Sequence, residues 1–149
     1  MELTIQSNKN DFTEKLYKVR SDSSFAISVM KDKELRKLSN VYGMTLAHEA
    51  VMKHVTCAIY ALTDYDAARI SNKKGHTVAH MAIRWATIRE NFEKLCSDTR
   101  IWELPGPSGV TVKTDLDTLR IADKNVTLAA VLLIKSDFIN IFKTLSTNN

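Results

Sequence analysis

The chain has 149 residues, 44% apolar and 26% charged, with a formal charge of +4. That length can bury a core without disulfide or metal staples, and the mixture is ordinary for a soluble globular domain. Four Gly and two Pro are too few for an all-β domain with many tight turns and suit helices instead. Lys and Arg outnumber Asp and Glu nine to seven over residues 1–54 and seven to five over 55–100, and balance five to five over 101–149. No segment is therefore a basic stripe of the kind a duplex binder carries, although one can still be assembled in three dimensions.

In chain order, the first element is an amphipathic helix over Asp11 to Arg20, with Phe12, Leu16 and Val19 on one face. A short helix over Ser24 to Lys31 follows. Residues 40–51 then read Asn-Val-Tyr-Gly-Met-Thr-Leu-Ala-His-Glu-Ala-Val, and residues 72–83 read Asn-Lys-Lys-Gly-His-Thr-Val-Ala-His-Met-Ala-Ile. The two share N-x-x-G-x-T-(L/V)-A-H-x-A-(V/I) at an offset of 32 residues, and Leu38 and Ile70 each stand five residues before their glycine. Gly43 and Gly75 supply the positive φ of a tight turn. Thr45 and Thr77 can cap a helix start. Second helices are expected over Val55 to Thr63 and over Ile88 to Leu95, the latter with Ile88, Phe92 and Leu95 on one face.

Both prolines and two of the four glycines fall between Trp102 and Val112, which marks an inserted loop or short hairpin. Two alignments compete for a third copy of the block. One places it at Asp123 to Val131 and keeps Thr127-Leu128-Ala129, with Asn125 for glycine and Ala130 for histidine. The other starts at Gly109-Val110-Thr111-Val112, 34 residues after Gly75, but has Lys113 and Thr114 in place of Ala-His. The Thr127 alignment is preferred. A last helix, Asp137 to Leu145, would close the end of the chain with Phe138, Ile141 and Phe142.

The repeated block resembles the ankyrin repeat, which has a period near 33 and opens its first helix with T-P-L-H-x-A. Leu46 and Val78 replace the family's proline, Ala47 and Ala79 its leucine, and the G-H pair of the second helix is absent. The T-(L/V)-A-H form is that of divergent bacterial or phage repeats. The resemblance implies an all-α fold: a short ankyrin-like helical solenoid with helical caps and one inserted Pro/Gly loop or hairpin. It would form a single domain, with an N-terminal cap at 1–39, repeats at 40–71 and 72–100, an inserted segment at 101–122, and a degenerate third repeat with C-terminal cap at 123–149. It further implies protein binding by an adaptor or inhibitor, without catalysis. The turn tips and the exposed face of each first helix would form the binding groove. By position these are Val41, Tyr42, Met44, Glu49, Met52 and Lys53, then Lys73, Lys74, His76, Met81, Arg84 and Trp85. Large apolar residues where solvent is expected suit a partner surface, with Trp85 as its anchor.

Little in the chain suggests chemistry. His48 and His80 sit at equivalent positions and are expected to bond the backbone of an adjoining turn, as the family's histidine does. A metal reading would join them to His54 or Cys57, but no second close ligand pair completes a site. Cys57 and Cys96 lie in apolar helical patterns, as small core hydrophobes do, and lack a nucleophile's local context. Phosphate-loop, dinucleotide, nucleophile-elbow and HExxH signatures are absent; Met52 stands where the last would need its second histidine. No metal or cofactor is expected. Arg36-Lys37 and Lys73-Lys74 are small basic clusters, more often solvated faces than sites, and they are the basis for a weaker alternative, a nucleic-acid-associated regulator. A cytoplasmic protein with no membrane segment is expected, since no leader is seen and the longest apolar stretch, Leu128 to Ile134, is short of a bilayer's width.

Overall fold

The computed structural model describes the backbone of residues 2–147 and the side chains of residues 11–145. Among the described residues it is all-helical, and the only extended pairings are three isolated antiparallel bridges, Ser39 with Thr45, Ser71 with Thr77, and Pro105 with Thr111. The chain divides into two compact units, Met1–Leu116 and Asp117–Asn149.

The first unit begins with α1 (Glu2–Ser21) and α2 (Ser23–Lys31), joined at Asp22, whose carboxylate accepts from the Phe25 N–H and caps α2. Phe12 and Val19 of α1 are buried, while Leu16 is half-buried. After a 3-10 turn, Leu35–Lys37, comes the first of three equivalent tight turns. In these the N–H of Asn40, Asn72 and Gly106 donates to the carbonyl of Met44, His76 and Val110, at 3.1, 2.9 and 2.8 Å. The N–H of Gly43, Gly75 and Gly109 closes each turn onto Asn40, Asn72 and Gly106. All three of these glycines have positive φ, at 81°, 87° and 75°, where a Cβ would crowd the following carbonyl. The asparagine side chains reinforce the first two turns: Asn40 Oδ1 accepts from Tyr42 and Met44 N–H, and Asn72 Oδ1 from Lys74 and His76 N–H.

Each turn leads into a helix capped by threonine. Thr45 accepts from the His48 N–H and opens α3 (Leu46–Lys53); Thr77 accepts from the His80 N–H and opens α6 (Val78–Ala82). Between them lie α4 (Val55–Ala61) and α5 (Tyr65–Ala68). The second copy continues with α7 (Ala86–Glu90), α8 (Phe92–Leu95) and α9 (Thr99–Trp102). The helix expected over Ile88 to Leu95 is thus broken at Asn91, yet Ile88 and Phe92 are both buried. Leu46, Ala47, Ala50 and Val51 form the buried face of α3, which packs on α1, α2, α4 and α6. The small side chains Ala47, Ala50, Ala58, Ala61, Ala79 and Ala82 are all fully buried.

The third turn overturns the preferred alignment. It is built by Pro105 to Thr111, with a 3-10 segment at Pro107–Gly109, so the inserted segment is itself the third hairpin. Thr111 accepts from the Thr114 N–H and starts α10 (Val112–Thr147), whose first residues close the first unit. Thr127, by contrast, lies inside α10, where its hydroxyl bonds back to the Asp123 carbonyl and caps nothing.

Two further expectations bear on α10. Phe138, Ile141 and Phe142, the residues expected to close the C-terminal end, are 69, 60 and 65% exposed. Leu128 to Ile134 is no isolated short run, because Val112–Leu145 is long and apolar enough to cross a membrane by length and composition.

Candidate functional site

The repeated threonine and histidine are placed by the turns and lock one copy to the next. His48 Nε2 lies 2.8 Å from the His76 carbonyl oxygen, and Nδ1 lies 2.6 Å from Thr45 Oγ1. His80 repeats this with the Val110 carbonyl at 2.9 Å and Thr77 Oγ1 at 2.6 Å. A carbonyl only accepts, so Nε2 carries the proton and Nδ1 accepts from the threonine hydroxyl. Both rings are therefore neutral donors to the following turn, and burial lowers both pKa values below the ordinary 6.5. Gly106 leaves room for this contact, since a Cβ there would stand 2.8 Å from His80 Nε2. The structural role expected of the two histidines is what the geometry displays. His54 does a related job, with Nε2 2.6 Å from the Val19 carbonyl.

The twelve residues expected in a groove divide into several groups. Met52, Met81, Arg84 and Trp85 come together around one hollow of about 320 Å³. Met52 is exposed on α3, Met81 and Trp85 are half-buried, and Arg84 is exposed. Trp85 is both wall and anchor: its indole N–H donates to the Val51 carbonyl at 2.7 Å, tying the second copy to the first. Val41 and Tyr42 project from the first turn, with Tyr42 82% exposed, and Lys73 and Lys74 are exposed on the second. Lys53 is exposed at the end of α3, and Met44 and His76 are half-buried. Glu49 does not belong with them. It is buried, because α1 packs over α3 and brings Arg20 into an ion pair with its carboxylate.

The remaining candidates are structural. Cys57 and Cys96 are buried free thiols, and burial pushes the Cys57 thiol up to about 11, so it is no ready nucleophile. Trp102 anchors its segment: its indole N–H donates to the Cys96 carbonyl, and its ring lies 5.4 Å from that of Phe92. Among the described residues no group of three His, Cys, Asp or Glu side chains could hold a metal ion.

Sequence reasoning missed the role of Arg36. This side chain is 2% exposed; its Nη1 donates to the Met30 carbonyl at 3.1 Å and to Asp64 Oδ2 at 2.9 Å. Burial works against the Asp64 carboxylate, but the Ala67 N–H and the Arg36 guanidinium hold its pKa below the usual range. The visible signal was an arginine beside a lysine; nothing local announced the carboxylate 28 residues away.

No family model matches the chain, and neither a curated protein nor a solved structure does.

Proposed function

We propose that the chain is a non-enzymatic protein-interaction module built on divergent ankyrin-like repeats, serving as an adaptor or as an inhibitor that occludes a partner's surface. A bacterial or phage origin fits the T-(L/V)-A-H form of the repeats. The observation that carries the reading is the hollow formed by Met52, Met81, Arg84 and Trp85. Two flexible methionines and an indole beside one guanidinium make a small apolar surface with a polar edge, the composition that protein interfaces favour. The turns that precede it hold Tyr42 in the open, where an amphipathic ring can add to the contact. The forward-reaching histidines support the repeat reading, because they give each copy a bond that only the next copy can complete.

The test is site-specific cross-linking. A photoreactive side chain at Met52 is expected to capture a discrete protein from cells of the source organism, and Met81→Asp in the same chain to abolish the capture while the melting curve stays cooperative. Cross-linking confined to nucleic acid, or protein capture indifferent to Met81→Asp, would sink the groove reading.

A further inference from the structure

A second hollow, of about 620 Å³, opens between the first and second turns of the same unit. Its lining includes five cations, Lys33, Arg36, Lys37, Arg69 and Lys73, and a single carboxylate, Asp66. Asp66 stands 3.9 Å from the Arg69 guanidinium, and both side chains are largely exposed, so that contact neutralises little. The five cations come from two places in the chain. Lys33, Arg36 and Lys37 stand around the 3-10 turn, while Arg69 and Lys73 flank the second bridge. The approach of the two copies is close at this point: a Cβ on Gly43 would stand 2.3 Å from Lys73 Cβ, so the bare glycine is what lets Lys73 reach the hollow. Arg36 forms part of the wall. It is fixed by Met30 and Asp64, and its Nε is buried without a hydrogen-bond partner among the described residues.

Asp64 already neutralises Arg36, and the four other cations, Lys33, Lys37, Arg69 and Lys73, focus a positive potential on this concave surface and repel one another, which an anion relieves. The exposed Arg69 guanidinium can match phosphate oxygens in a fork, and the three lysines add mobile point charges. The volume falls in the range of small-ligand sites. It is a pocket and no stripe, which favours a compact anion over a length of nucleic acid. No aromatic side chain is among the lining residues, so nothing offers a base a stacking platform.

We propose that this hollow binds a compact anion carrying two or more phosphate groups, recognised through its phosphate oxygens, independently of the Met52–Trp85 surface. Free oligophosphate and the triphosphate of a nucleotide share that chemistry.

The test is titration calorimetry on the full chain with tripolyphosphate, ATP, AMP and a short single-stranded RNA, without divalent cations. One-site, saturable binding is expected for tripolyphosphate and ATP, with AMP weaker by about tenfold or more, since it loses two phosphates' worth of charged hydrogen bonds. Lys37→Glu with Lys73→Glu should weaken both triphosphates by about tenfold or more, because each change turns an attraction into a repulsion. Lys33→Glu is the second variant, to be used should the pair fail to melt cooperatively. Lys94→Glu with Lys113→Glu makes the same charge change outside the hollow's lining and should leave affinity within about twofold. Tighter binding of ATP would identify a nucleotide source, and tighter binding of tripolyphosphate a free oligophosphate. Equal loss in the control pair would mean a diffuse ionic attraction only. AMP as tight as ATP, RNA tighter than either triphosphate, or no saturable heat would each overturn the proposal.

Discussion

The two units treat polarity in opposite ways. Up to Leu116 the chain buries Arg36, Thr45, His48, Glu49, Thr77 and His80, and each of these has a hydrogen-bond or charge partner within the first unit. From Asp117 onward twelve large apolar side chains, Ile121 to Leu145, are exposed. The first unit gains its definition from specific polar bonds laid over a core of small side chains, because an unmet partner in that core would be costly. The second is a helix satisfied along its own backbone, and its apolar surface specifies no single arrangement. Stability changes should therefore concentrate in the first unit and association changes in the second.

The largest expected loss is at the closest approach of two copies. Gly43→Ala places a Cβ at positive φ and drives it into Lys73, so it should cost about 2–5 kcal/mol from the backbone and overpacking terms together. Gly109 has the same kind of φ but nothing within 4 Å of its virtual Cβ. Gly109→Ala should then show the backbone term alone, about 1–2 kcal/mol. Equal losses in urea melts of the two variants would mean that the Gly43–Lys73 contact is not what the first turn depends on.

His80→Ala comes next, at about 1–3 kcal/mol, by leaving the Val110 carbonyl and the Thr77 hydroxyl without their partner. The same histidines predict an acid-side signature. Burial lowers their folded pKa below the unfolded value of 6.5, so the unfolded chain takes up protons first. Stability should be full above about pH 6.5 and fall as the pH drops through the lowered folded values. Melts of wild type and of His48→Gln with His80→Gln, compared between pH 7.5 and 5, measure this. A wild-type loss that persists undiminished in the double variant would assign it to other groups.

The first two turns were legible in the sequence because everything they need is local: asparagine, glycine, threonine and histidine within nine residues. The third was misplaced for a physical reason. Histidine serves to reach the following turn, and the last copy has none to reach, so Thr114 stands where histidine stood and the motif loses its most visible letter. Asp123 to Val131 kept Thr-Leu-Ala and looked the better match, but those letters are equally at home inside a helix. Glu49 was assigned to the groove because its ion-pair partner, Arg20, comes from a helix 29 residues earlier. The basic hollow was invisible for the same reason, as its cations are spread from Lys33 to Lys73. Trp85 shows how one position can carry both readings, with its indole N–H on the core side and its ring along the hollow.

The smallest effect on folding, and the sharpest separation of the two units, should come from α10. Val131, Ile134, Phe138, Ile141 and Leu145 recur at alternating intervals of three and four, the spacing of a seam between helices. Lys135 and Asp137 lie within the same apolar run, and each costs about 2.5–3.5 kcal/mol at the centre of a bilayer-spanning helix. Length and composition allow insertion, but those two charges set association with another copy ahead of it. The chain should therefore sediment with a concentration-dependent mass above 16.8 kDa. Ile134→Glu with Phe138→Lys and Ile141→Glu should return it to the monomer. All three side chains are exposed, so the unfolding free energy of the first unit should move by no more than about 0.5 kcal/mol per change. Flotation of the wild type with phospholipid vesicles, at monomer mass in detergent, would reverse the order of the two readings. A cooperative loss of the first unit's melting transition in the triple variant would show instead that the exposed face of α10 is part of what holds that unit together.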